Sequence, residues 1–199
     1  IFDALTLTAS IGAVFGSGGT LKVLNSSIVG NSGSVAAIRL VDGSLEVRNS
    51  SITDNSNNNG AGGVTLYNDT TSGTLLIENT TIANNTGTFG GGLAILGLVS
   101  SATIQNSTFS TNTGKQGGGI YSVTSGALTV QNSTFAGNSA NVTAGGIQQT
   151  PGNLTIISSI ISNNAASDSS QLRNNGILTA TTSLIGSTSG VTTFNGDAF

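Results

Sequence analysis

The sequence predicts an all-β protein, a right-handed parallel β-helix (a β-solenoid) of about seven coils with three strands per coil. Three observations carry that prediction. An eleven-residue phrase recurs, clearest as Leu128-Thr-Val-Gln-Asn-Ser-Thr-Phe-Ala-Gly-Asn138. As a pattern it reads Leu-x-Val/Ile-x-Asn-Ser/Thr-x-Ile/Phe-x-x-Asn. Its first Asn returns at Asn25, Asn49, Asn79, Asn106 and Asn132, with Ser158 and Thr182 as equivalents, in steps of 24, 30, 27, 26, 26 and 24 residues. Within each copy the aliphatic residues alternate at period two, the spacing of a strand with one buried face.

Composition narrows the possibilities. Charged residues make up only 7% of the 199, and Gly contributes 29. Without periodicity such a chain would read as low-complexity and disordered. The fixed offsets of the aliphatics argue for order. The net charge is −3 with five basic residues and no His, which argues against nucleic acid as a partner. The chain has no Cys, and so neither a disulfide framework nor a thiolate metal site. No apolar run approaches the ~20 residues of a membrane-spanning helix, so membrane insertion is not expected. The chain lacks Met and opens Ile-Phe-Asp. It reads as one β-helix domain over 1–199, a piece of a longer protein.

Residues 1–20 are expected to be an incomplete first coil, with a short strand at Leu5-Thr-Leu7 and a glycine turn at Gly16-Ser-Gly-Gly19. No amphipathic capping helix is legible there. Exposed coil ends therefore carry the expectation of end-to-end self-association. Residues 21–177 form six regular coils of 24–30 residues. The first strand of each is Leu-x-Val, with both aliphatics on one face. The chain turns at the first Asn, a residue that tolerates left-handed backbone geometry. The second strand is Ser/Thr-x-Ile/Phe, inward, outward, inward, and it ends at a second Asn: Asn31, Asn55, Asn85, Asn112, Asn138 and Asn164. The third strand follows eight or nine residues later, after a Gly pair in most coils, as in Gly91-Gly-Leu-Ala-Ile95 and Gly118-Gly-Ile-Tyr121. The first of these coils uses Ala36-Ala-Ile-Arg-Leu40, and the sixth, Gln171-Leu172, has lost the glycines. Residues 178–199 are a degenerate last coil.

Such coils stack at about 4.8 Å. One coil alone buries too little apolar surface to offset the entropy of ordering it, so neighbouring coils must fold together. Stacked corner asparagines are expected to bond their counterparts in a ladder. The single Pro, Pro151, falls in a loop, where no ladder donor is needed. Right-handedness follows from the general preference of parallel crossovers.

The pairs Phe109 to Asn112 and Phe135 to Asn138, together with Gly-Gly-Ile/Leu/Val, resemble the repeats of bacterial right-handed parallel β-helix surface proteins. The polymorphic outer-membrane proteins carry GGA-I and F-x-x-N motifs of this kind. The chain is more closely similar to large secreted proteins with choice-of-anchor C-termini, over nearly its whole length from Leu21. The stretch Ser158-Ser-Ile-Ile-Ser-Asn-Asn-Ala165, followed by Ser183-Leu-Ile-Gly-Ser-Thr-Ser-Gly190, resembles the ends of those arrays. The resemblance implies an exported bacterial cell-surface or extracellular protein, such as an adhesin or passenger domain. It implies no shared active site.

Six Asp and two Glu are the candidates for chemistry. Arg39, Asp42, Glu46 and Arg48 lie close in sequence, with Asp54 nearby, and suggest a polysaccharide site using general acid and base. Coil register favours a plainer account: Lys22 faces Glu46, and Arg48 faces Glu78, as exposed ion pairs worth ~0–1 kcal/mol each. Asp3, Asp69, Asp168 and Asp197 are expected to be isolated. The glycine runs lack the Asp of a calcium β-roll and the Lys-Ser/Thr of a phosphate loop, so no metal, cofactor or catalytic residue is assigned. Glycosylation sequons occur at Asn25, Asn49, Asn68, Asn79, Asn84, Asn106, Asn132, Asn141 and Asn153. An inward-bonded ladder amide would close the five corner sites to a glycosylating enzyme. Threonines at 103, 129, 155 and 179, and at 81, 108 and 134, stack in outward columns, a pattern open to ice or glycan binding but also to plain exposed β-structure. Ile157, Ile160 and Leu184 face outward, covered by the tail or a neighbouring chain, or else making a protein contact. The function expected is a non-catalytic extracellular stalk or passenger, its partners being surface glycans or other protein chains. The alternative is a carbohydrate-active β-helix enzyme.

Overall fold

The structure, a computed structural model, describes residues 1–8 and 14–198. Its regular structure is entirely strand, and the strand pairings are parallel. The repeat phrase becomes register, residue for residue. Leu21, Leu45, Leu75, Ala102, Leu128, Leu154 and Leu178 pair in one continuous column. Two residues further on, Val23, Val47, Ile77, Ile104, Val130 and Ile156 form a second inward column without solvent exposure. Period-two alternation thus fixes which side of every first strand is core.

Each first strand ends at a one-residue corner. Asn25, Asn49, Asn79, Asn106 and Asn132 have φ between 47° and 51°, and Ser158 and Thr182 both have 48°. This left-handed region disfavours most side chains and suits Asn. The second strands follow at Ser27–Val29, Ser51–Thr53, Thr81–Ala83, Thr108–Ser110, Thr134–Ala136 and Ile160–Ser162. Their central Ile or Phe points inward, and Phe109 and Phe135 stack at 4.6 Å with ring planes 11° apart. The Ser or Thr before each second strand is also buried. The hydroxyl of Ser50, for example, accepts from the Ser26 amide at 3.1 Å and donates to the Arg48 carbonyl at 2.7 Å.

The second Asn forms the buried ladder. The Asn112 Oδ1 accepts from both the backbone N–H and the side-chain Nδ2 of Asn85, each at 3.0 Å. Its own Nδ2 donates to Asn138 Oδ1 and to the Ile82 carbonyl, both at 2.9 Å. Two acceptor sites and two donors are therefore all used. The same arrangement links Asn55, Asn85 and Asn138 to their neighbours. At the far end Asn164 bonds Gln171 Oε1 at 3.2 and 2.8 Å, and Gln171 Nε2 returns a bond to the Asn164 carbonyl at 3.2 Å. Gln171 takes the seat that the next coil, lacking an Asn, leaves open.

After the ladder the chain does not simply loop back. Short strands at Ser32–Gly33, Ser56–Asn57, Thr86–Gly87, Thr113–Gln116, Ser139–Thr143 and Ala165–Asp168 stack as a separate six-stranded sheet. Rich in Ser, Thr and Gly, they carry little alternation for a sequence reading to detect. The glycine pairs that follow sit where coils nearly touch: a Cβ on Gly91 would lie 2.5 Å from the Gly118 carbonyl oxygen. Third strands then run at Ile38–Val41, Ile120–Val123 and Ile147–Gln149, and continue without a break into the next first strand in Val64–Glu78, Leu93–Gln105 and Leu172–Ile185. Their inward column, aliphatic at Leu40, Leu66 and Ile95, becomes polar at Ser122, Gln149 and Asn174.

At the ends, Phe2 and Asp3 pair with Val23 and Leu24, and Leu7 pairs with Ile28. A strand not foreseen, Val14–Ser17, pairs with Ile38–Val41. Val191–Ala198 lies beside the last long strand. Pro151 sits in a loop, after a cis peptide bond.

One expectation needs correction. The first-corner asparagines are exposed, and the ladder that joins Asn25, Asn49 and Asn79 runs along the outside. Asn49 and Asn79 each donate to the preceding corner Asn at 3.1 Å. A left-handed corner aims its side chain away from the core, and the inward ladder belongs to the second Asn. Asn112→Ala is therefore expected to lower stability by about 3 kcal/mol or more, since it strands several buried partners. Asn106→Ala should cost only about 1–2 kcal/mol, the strain of a left-handed Ala. Urea unfolding of both variants measures the difference.

Candidate functional site

The four residues singled out near the second regular coil do not converge. Asp42 is a left-handed corner, φ 53°, between a third strand and the first strand that follows. Arg39 lies before that corner, and Glu46 and Arg48 lie after it. Glu46 and Arg48 belong to a half-buried ladder of charges, less exposed than the register alone suggested: Lys22 Nζ meets Glu46 Oε2 at 2.7 Å, Arg48 contacts both Glu46 and Glu78, and Gln105 Nε2 donates to Glu78 Oε1 at 2.5 Å. Both expected ion pairs are present. Lys22, with Arg48 beside it, holds the Glu46 carboxyl below the usual carboxylate range.

Asp42 is held differently. Its Oδ1 accepts from the amides of Asp69, Thr70 and Thr71 at 2.8, 2.9 and 3.3 Å, and its Oδ2 accepts from the Thr70 hydroxyl at 2.9 Å. These bonds, those from Thr70 foremost, bring its pKa from 3.8 to about 2. The carboxylate anchors the irregular 69–71 segment of the Val64–Glu78 strand. Two carboxylates expected to be isolated have partners: Asp3 accepts from Asn25 Nδ2 at 2.8 Å, and Asp168 pairs with Arg173 at 3.3 Å. The side chain of Asp197 lies outside the described residues. Among the described residues no group of three or more acidic residues is placed to hold a metal ion.

Arg39 instead lines a groove of about 220 Å³ with Thr65, Tyr67, Ala94 and Leu96 from the next two coils. The strands dictate its shape. Arg39, Thr65, Ala94 and Tyr121 are consecutive outward residues of one column, so two small side chains form a floor between two large ones. Tyr67 and Leu96, consecutive in the next outward column, form one wall. The loops after the short strands form the other, with Asn57, Asn59, Gly60 and Phe89. Asn57 braces its loop by donating to the Ala61 carbonyl at 2.9 Å. The Gly60 carbonyl accepts from the amides of Thr88 and Phe89 at 2.8 and 3.2 Å, tying the two loops together. The Phe89 ring meets Tyr121 with centroids 5.4 Å apart. Burial raises the pKa of the Tyr121 phenol.

The Arg39 side chain makes no hydrogen bond or ion pair with another described residue, and its Nε is buried without a partner. Thr65 is 7% exposed and its Oγ1 is likewise buried and unpartnered. Sequence reasoning named Arg39 but not Thr65, Tyr67, Phe89 or Tyr121. Both tyrosines of the chain at outward third-strand positions were the available signal.

Elsewhere the outward threonines stack as expected, Thr103 with Thr129, Thr155 and Thr179, and Thr81 with Thr108 and Thr134. Ile160 and Leu184 are exposed register neighbours. Of the sequons, the five corner asparagines are exposed, contrary to expectation, whereas Asn68 is fully buried against Gly43.

The stacked parallel coils, buried asparagine ladder and lateral groove define a parallel β-solenoid. Residues 14–198 match the family model of the right-handed beta helix region, and the chain belongs to that family. No curated protein and no solved structure matches it.

The contacts of Asp42 yield a pH prediction. The folded-state pKa lies below the ordinary value, so the 69–71 segment is held fully above about pH 3.8 and released as pH falls through about 2. The Thr70 and Thr71 amide resonances are expected to titrate with a midpoint near 2, and Asp42→Ala should abolish that titration and speed exchange of both amides. A midpoint near 3.8 would contradict the assignment.

Proposed function

We propose that the chain is part of an extracellular or cell-surface protein and acts there as a non-catalytic solenoid. It is a rigid stalk or passenger whose lateral faces meet surface glycans or other protein chains. The cell-surface placement rests on the resemblance of its repeats to bacterial surface arrays. The observation that carries the non-catalytic reading is the occupation of the Asp42, Glu46 and Glu78 carboxylates.

General acid–base chemistry on a glycosidic bond needs a carboxyl pair free to give and take protons at the substrate. Here Glu46 is held by Lys22 and Arg48, Glu78 by Arg48 and Gln105, and Asp42 by three amides and a hydroxyl. The arrangement favours the ionised form of Asp42 and Glu46 and ties each group to structure. A solenoid scaffold uses charges in this way, as links between coils.

Incubation with a panel of neutral and acidic polysaccharides, read by retention and by mass spectrometry of the products, tests the proposal. The expected result is unchanged chain length, with or without retention. Shortened chains that disappear in Glu46→Gln or Asp42→Asn would make this a carbohydrate-active enzyme instead.

A further inference from the structure

The groove beside Arg39 carries an inference beyond the scaffold reading and independent of it. Three of the five basic residues have carboxylate partners: Lys22, Arg48 and Arg173. Arg39 has none among the described residues, although it is half-buried and its Nε is already removed from water. One strand away on the groove floor, the Thr65 hydroxyl is buried and equally unpartnered. Buried polar atoms are ordinarily satisfied, and two neighbouring exceptions in one concavity mark a place where something else binds.

The chemistry of that ligand follows from the walls. A guanidinium offers a planar fork of donors that matches a carboxylate. Desolvation at the floor strengthens such a pair relative to an exposed one. Beyond Arg39 the floor is the Ala94 methyl, bounded by Tyr67, Leu96 and Phe89. Flat, apolar walls of this kind accept the face of a ring. The volume of about 220 Å³ is below the ~300–1,000 Å³ of pockets for larger ligands, and suits one ring rather than two. The braced loops at 57–61 and 86–90 make the wall preformed.

We infer that this groove is a binding site for a carboxylate carried on a single six-membered ring, the carboxylate on Arg39 and Thr65 and the ring face against Tyr67 and Phe89. Two sources share that chemistry, an apolar ring acid and an acidic sugar, free or as one unit of a chain. Thr65 contributes a hydroxyl able to donate to the second carboxylate oxygen.

Titration calorimetry of the intact chain with cyclohexanecarboxylate and with glucuronate, and with glucose as the neutral control, tests this. At least one acid is expected to bind and glucose is not; the acid that binds identifies the source. Arg39→Gln should weaken that binding at least about tenfold, and Phe89→Ala should weaken it while leaving the charge in place. Amide shifts on binding should centre on residues 39, 65 and 94, and circular dichroism of each variant checks that the coils remain folded. Failure of both acids to bind, equal binding of glucose, or equal affinity in a folded Arg39→Gln variant overturns the assignment.

Discussion

An asparagine side chain buried at every second corner has two donors and two acceptor sites, and only protein in reach to use them. The coil below supplies a backbone amide and a carboxamide, and the coil above supplies an oxygen, as around Asn112. Leaving any of these unmade in the interior costs about 1–3 kcal/mol each. The arrangement exists only when successive coils are in one register. A slip by one residue would orphan the whole ladder and turn every aliphatic column outward. The ladder thus ties the height of each coil to the height of the next, and the hydrophobic columns and the Phe109–Phe135 stack fill the space it defines.

The outer surface inherits that register. Because like positions superpose, a sequence with few charges still brings Lys22, Glu46, Arg48 and Glu78 into one chain of ion pairs. The same superposition makes a groove where small outward residues, Thr65 and Ala94, fall between large ones. The loops of two coils complete it. Lateral surface features of this solenoid are therefore columns read across coils, and a substitution in one coil alters a site shared by three.

Much of this was legible in the sequence. The Leu-x-Val and Ser/Thr-x-Ile/Phe pieces gave strands, inward faces and inter-coil partners, because period-two alternation and a fixed repeat jointly determine them. The expectation that the first-corner asparagines bond inward was wrong, yet a signal was present. The first-corner Asn gives way to Ser158 and Thr182, whereas the second is unbroken from Asn31 to Asn164. A left-handed exposed corner tolerates substitutes; a buried carboxamide with four bonds does not. The short strands after the ladder were hidden because two to five mostly small or polar residues show no usable period. The role of Gln171 was hidden because it reaches the ladder from a different place in the coil. The groove was illegible for a related reason: Arg39, Thr65 and Phe89 come from three coils, and their meeting depends on how the loops at 57–61 and 86–90 are braced.

Hydrogen exchange of the asparagine side-chain amides, followed by NMR, tests the central claim most directly. If the ladder holds the coils in register, the Nδ2 protons of Asn55, Asn85, Asn112 and Asn138 exchange only as slowly as the buried core amides, in a single cooperative opening, while those of the exposed corner residues Asn106 and Asn132 exchange quickly. Fast exchange of the inner carboxamides, or opening of single coils without their neighbours, would contradict it.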